Sequence, residues 1–155
     1  MPVQLILNYL GLINSRFEAV HGGDINECWR IESKGAIYFL KINEAKLYPD
    51  MFKKEAKGLD ALKENSSLNI PSIIKNGSLD NKQFLLLEWL QNNGKSTNWK
   101  TFGVQLALLH RKKQNYFGWE EDNYIGTLIQ KNTEKKFMGG VLCRVQDYST
   151  NYQTL

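Results

Sequence analysis

Cysteine is nearly absent, long apolar runs are missing, and no basic residue precedes Arg16; each shortage closes off a class of protein. Cys28 and Cys143 are the only cysteines. They lie too far apart for the paired spacing of a zinc site and are too few for a disulfide-stapled secreted scaffold, so both read as free thiols. No stretch reaches the roughly 18 apolar residues of a membrane span. The apolar N-terminus around Leu5, Ile6, Leu7 and Leu10 lacks the charged leader of a signal peptide, so the expectation is a soluble, cytoplasmic protein with no membrane partner. A basic stripe is also missing. The net charge of +4 comes from lysine pairs such as Lys53/Lys54, Lys112/Lys113 and Lys135/Lys136 scattered among acids, which argues against nucleic acid as a partner.

What is present is globular: 42% hydrophobic and 23% charged residues in a chain of 155, enough for one domain, or one and a fragment of a second. Val3, Leu7 and Leu10 stand at helical spacing ahead of Gly11. Strands are expected over 13–20, 25–31 and 36–42, separated by Gly22-Gly23 and by a tight turn at 33–35. The third, Ala-Ile-Tyr-Phe-Leu-Lys-Ile, is apolar on both faces, as a central strand would be, and Lys41 lies near its end. From Pro49 to Glu64, Phe52, Ala56, Leu59 and Leu62 mark a helix, with Pro49 and Asp50 as its start signal. Further strands are expected at 72–75 and 83–89, then a loop at Asn92-Asn93-Gly94 and a helix over 99–112 with the stripe Phe102, Leu106, Leu109. Beyond Asn132 the periodicity fades, and no internal repeat is found.

Two charges stand out. An ammonium beside an apolar run costs several kcal/mol unless it is paired, so Lys41 needs an acidic partner. On a helical wheel Glu55 falls within the arc of Phe52, Ala56, Leu59 and Leu62, while Lys53, Lys54 and Lys57 point elsewhere. At about 4 Å and an effective dielectric near 20 their attraction is ~4 kcal/mol before desolvation. A strand lysine paired with a helix glutamate is how kinases hold the α- and β-phosphates of ATP. The bland alternative is a lysine whose stem snorkels to water. Gly22 and Gly23 let backbone amides approach phosphate, although a glycine hairpin is as readily structural. Cys28 reads as a small buried residue, or else as a redox sensor. His110 reads as a capping or packing residue, or else as a catalytic one, and Phe117 and Trp119 as core aromatics of the C-lobe, or else as a substrate platform.

The segments Gly22-Gly23-Asp24-Ile25-Asn26-Glu27, Tyr38-Phe39-Leu40-Lys41-Ile42-Asn43, Met51-Phe52-Lys53-Lys54-Glu55-Ala56 and Phe84-Leu85-Leu86-Leu87-Glu88-Trp89-Leu90 resemble successive motifs of the fructosamine (ketosamine) kinases. Leu106-Ala107-Leu108-Leu109-His110-Arg111 and Phe117-Gly118-Trp119, Asp122-Asn123, Ile125-Gly126 are similar to that family's early C-lobe. The resemblance runs over about residues 1–132. It implies an α+β, protein-kinase-like N-lobe at 1–90, a five-stranded antiparallel sheet with one packed helix. An incomplete helical C-lobe would begin at 91–132, with a divergent tail at 133–155. It further implies ATP with magnesium and phosphorylation of a sugar hydroxyl on ketoamines, a deglycation repair. The nucleotide would be held by Gly22, Gly23, Asp24, Lys41 and Glu55, with Glu88, Trp89 and Leu90 as the hinge that receives adenine.

The family's His-Gly-Asp catalytic loop, with an Asn five positions after the Asp, and its later metal-binding Asp are not found. His21-Gly22-Gly23-Asp24 precedes the lysine strand and has an extra glycine; Asp147 and Asn151 stand four apart with no acid after them. A truncated or frame-shifted gene would produce this pattern, so no catalytic residue and no metal ligand is expected here. Two other readings stay open. One is a non-catalytic nucleotide-binding or interaction fragment, pairing with a chain that supplies a C-lobe or with itself. The other is a small-molecule kinase of the aminoglycoside or choline type.

Overall fold

The run that is apolar on both faces, β3 (Ala36–Glu44), forms the middle of a five-stranded sheet. The computed structural model describes residues 1–21, 25–91, 94, 98–113 and 118–132. It contains β1 (Arg16–Ala19), β2 (Glu27–Ser33), β3, β4 (Ile73–Leu79) and β5 (Lys82–Glu88) in the order β1-β2-β3-β5-β4, all neighbours antiparallel. Lys34 and Gly35, with φ of 51° and 81°, make the two-residue turn between β2 and β3; two positive φ values match the right-handed strand twist. The fold is α+β.

A helix covers each face of the sheet, one more than the single packed helix expected from sequence. On one face α1 (Pro2–Tyr9) places Val3, Ile6 and Leu7 against Ile31, Leu40, Ile42, Phe84 and Leu86. Its end is set by Gly11 at φ 71°. Leu12 N–H returns to the Leu7 carbonyl and Gly11 N–H to that of Asn8, which satisfies carbonyls the helix leaves open. On the other face α2 (Met51–Asn65) buries Met51, Phe52 and Ala56. Its start differs from the expected signal. Asp50 sits in the left-handed region at φ 56° and makes no side-chain cap. The sheet supplies the cap instead: the buried Gln83 accepts from Phe52 N–H at 3.4 Å and donates to the Tyr48 carbonyl.

Other boundaries shift for physical reasons. β4 is longer than the expected 72–75 because its polar stretch Lys75-Asn76-Gly77-Ser78 is templated by pairing with β5 rather than by its own hydrophobicity. The first strand is shorter than 13–20, since Asn14 turns at φ 60°. A third helix, α3 (Trp99–His110), is capped by Asn98 Oδ1 on Thr101 N–H at 3.0 Å and ends two residues before Lys112. None of its residues is buried.

The chain divides into two compact units, Met1–His110 and Arg111–Leu155. In the second, β6 (Asn123–Ile125) and β7 (Leu128–Gln130) form a hairpin missed from sequence. Asp122 closes it by accepting from Asn132 N–H at 2.8 Å and Lys131 at 3.0 Å. Among the described residues, no helix is long and apolar enough to cross a membrane.

Candidate nucleotide site

Strand pairing decides which side chains share a face with Lys41. It stands opposite Cys28 on β2 and Leu85 on β5, so all three point toward α2, whereas Leu40 and Ile42 point toward α1. Lys41 Nζ donates to both carboxylate oxygens of Glu55, each at 2.8 Å, with the two side chains 18% and 31% exposed. The ammonium also lies 5.7 Å from the centre of the Phe52 ring, a favourable cation–π placement. A lysine ammonium has three protons. Two go to Glu55, and among the described residues the third has no protein acceptor, which leaves a donor for a ligand oxygen.

Cys28 is buried beside this pair. Burial pushes its thiol above the ordinary value; the Lys41 charge pulls it down and the Glu55 charge pushes it up. Trp89 stays on the Lys41 side: its ring lies 6.1 Å from that of Phe39, and the Arg30 guanidinium sits 5.7 Å over it. Glu88 does not join them. It pairs with Tyr38, and its carboxylate accepts from Ser72 N–H at 3.1 Å at the end of β5, which holds the group below its ordinary range. Leu90 is exposed. Gly22, Gly23 and Asp24 lie outside the described residues, as do Phe117, Cys143, Asp147 and Asn151.

His110 caps rather than packs: it is exposed, with Nδ1 2.8 Å from the Leu106 carbonyl in the last turn of α3. Trp119 is half-buried. Sequence reasoning assigned no role to Phe39, Arg30 or Asn43, although period-two alternation outward from Lys41 marks Phe39 and Asn43 as its neighbours on the same face. Among the described residues, no group of three or more His, Cys, Asp or Glu is placed to hold a metal ion.

Residues 8–137 match the model of the fructosamine kinase family. The chain belongs to that family. It is 37% identical over 118 residues to a Vibrio cholerae protein described as "Probable ketoamine kinase", covering 74% of this chain and 41% of that one. It is also 35% identical over 133 residues to an Enterococcus faecium protein of like description, covering 86% and 46%. In structure it resembles a protein from Haemophilus somnus described as a "putative fructosamine-3-kinase", with TM-score 0.71, 29% identity, and 86% and 46% of the two chains covered. The five-stranded lobe is therefore the family's kinase-like fold, and this chain spans less than half the length of these fructosamine kinase relatives.

Proposed function

We propose that this chain is the nucleotide-holding part of a cytoplasmic ketosamine kinase, which phosphorylates a sugar hydroxyl of glycated amines with ATP and so repairs them. The carrying observation is the two-pronged Lys41–Glu55 pair on the central strand. Glu55 orients the ammonium, the remaining proton is free for an α- or β-phosphate oxygen, and Gly22, Gly23 and Asp24 supply the turn over the phosphates. Trp89 lies on the same face, where the hinge residues 88–90 would receive adenine. These residues fit ATP. Magnesium would neutralise charge on the phosphates.

Alone, these 155 residues bind ATP without turning it over. No His-Gly-Asp is present to supply a base for the sugar hydroxyl, which contributes a factor of roughly 100 to 10,000. The purified chain, incubated with labelled ATP, magnesium and a fructosyl-amine, should form no phosphorylated ketoamine, while ATP should bind and a Lys41→Ala variant should bind it less. Product made by the parent chain and lost in the variant would overturn this reading. The uncovered α3, with Trp99 72% and Leu108 52% exposed, favours one addition: a partner chain that supplies the helical C-lobe, or self-association through this helix.

A further inference from the structure

Two cavities flank α1 on the face of the sheet turned away from Lys41, and they differ in charge. The first, about 410 Å³, lies at the start of the helix between Met1, Leu5 and Leu79, with Glu44 and Lys82 in its wall. Its cation is already neutralised, since Lys82 Nζ pairs with Glu44 and, at 3.7 Å, with Glu27. The second, about 480 Å³, lies at the other end of the helix. Leu12, Leu86 and Ile74 give it apolar walls, and Tyr9, Tyr38 and Lys75 bring polar ends to it. Both volumes fall within the range of small-molecule sites.

Strand register explains why these groups meet. Tyr38 stands two residues before Leu40 on β3, and Lys75 on β4 is paired with Leu86 on β5, so both share the α1 face with Leu40 and Leu86. The register of β4 shifts between Ile73 and Lys75, and the displaced Ile74 is 49% exposed beside the lysine. Tyr9 is a fixed wall, its ring edge-on to that of the buried Phe84 with centroids 6.0 Å apart. Tyr38 is half-buried and Lys75 exposed. Among the described residues the hydroxyls of Tyr9 and Tyr38 make no hydrogen bond, and the Lys75 ammonium makes no ion pair. An uncompensated positive charge at the rim of a largely apolar, partly aromatic hollow suits a ligand with an apolar body and one negative charge. The first cavity, whose lysine is already paired with acids, has no such preference.

We propose that the hollow between the end of α1 and β4 binds a small organic carboxylate with an aromatic body, the rings of Tyr9 and Tyr38 flanking that body and Lys75 taking the carboxylate. This does not rest on the ATP reading, because the hollow and Lys41 lie on opposite faces of the sheet. The test measures, by equilibrium dialysis, binding of naphthylacetate, naphthylacetamide and naphthylethylamine to the 155-residue chain and to Lys75→Met, Lys75→Glu and Tyr9→Ala. The three probes share a ring system and differ in charge. The parent should prefer the carboxylate to the amide by roughly 2- to 5-fold, the scale of an exposed ion pair. Lys75→Met should abolish that preference while leaving the amide unchanged, and Lys75→Glu should transfer the preference to the amine. Lys75→Met keeps the test valid if the charge reversal fails to fold. Tyr9→Ala, which removes a wall and no charge, should weaken all three probes alike. Excess ATP should displace none of them. No binding by the parent, equal affinity for carboxylate and amide, a preference that survives Lys75→Met, undiminished binding to Tyr9→Ala, or displacement by ATP would each overturn the assignment.

Discussion

Replacing Glu55 by Gln tests the centre of the site, because it removes one charge while keeping the side chain's volume. At 2.8 Å and an effective dielectric near 20, the gross attraction of the pair is ~6 kcal/mol. Most of this is offset by the cost of taking both groups from water. Exposed pairs are worth about 0–1 kcal/mol, and breaking fully buried ones costs about 3–5 kcal/mol. With exposures of 18% and 31% this pair lies between, and glutamine still accepts one hydrogen bond, so the expected loss is about 1–2 kcal/mol. For a unit of this size that corresponds to a drop in Tm of roughly 4–16 °C. Thermal unfolding followed by circular dichroism measures it. A Lys41→Met/Glu55→Gln double variant should recover part of the loss, since neither charge then remains buried alone. A Glu55→Gln chain that melts within about 1 °C of the parent, with no recovery in the double variant, would show that the ammonium does not depend on Glu55.

Other consequences follow from particular contacts. Gly77→Ala puts a methyl 3.0 Å from Cζ of the fully buried Phe84, so it should cost about 1–3 kcal/mol in urea unfolding, whereas Gly58→Ala, with open space around it, should not destabilise. The Cys28 thiol, raised by burial, should alkylate slowly at neutral pH, and Glu55→Gln should speed alkylation by removing a charge that raises it. Because the folded state holds this proton more tightly than the unfolded chain, the thiol's contribution to stability is fully present below its ordinary value of 9.0. That contribution is lost as pH rises through the folded value, an effect that Cys28→Ser should flatten in alkaline melts. Leu108→Glu on the uncovered α3 should reduce concentration-dependent association in sedimentation velocity, and an unchanged profile would exclude this helix as the contact.

What the sequence determined by itself was local. Two apolar faces marked β3 as the central strand. A helical wheel put Glu55 on the core side of α2, and one strand end carried the lysine, so both partners of the 2.8 Å pair were legible before any fold was known. These signals survive because a period of two or of 3.6 is set by the backbone within a few residues of the side chain concerned. Only the tertiary structure decided that β5 lies between β3 and β4, that α1 closes the opposite face, and that β4 extends through a polar stretch. It alone turned the Glu88 carboxylate to Ser72 N–H while Trp89 stayed on the Lys41 side. The start of α2 shows the reason most clearly. Asp50 and Pro49 look like its start signal, yet the cap comes from Gln83, 31 residues beyond Phe52. Partners so far apart in sequence meet only through strand register, and no local periodicity records them.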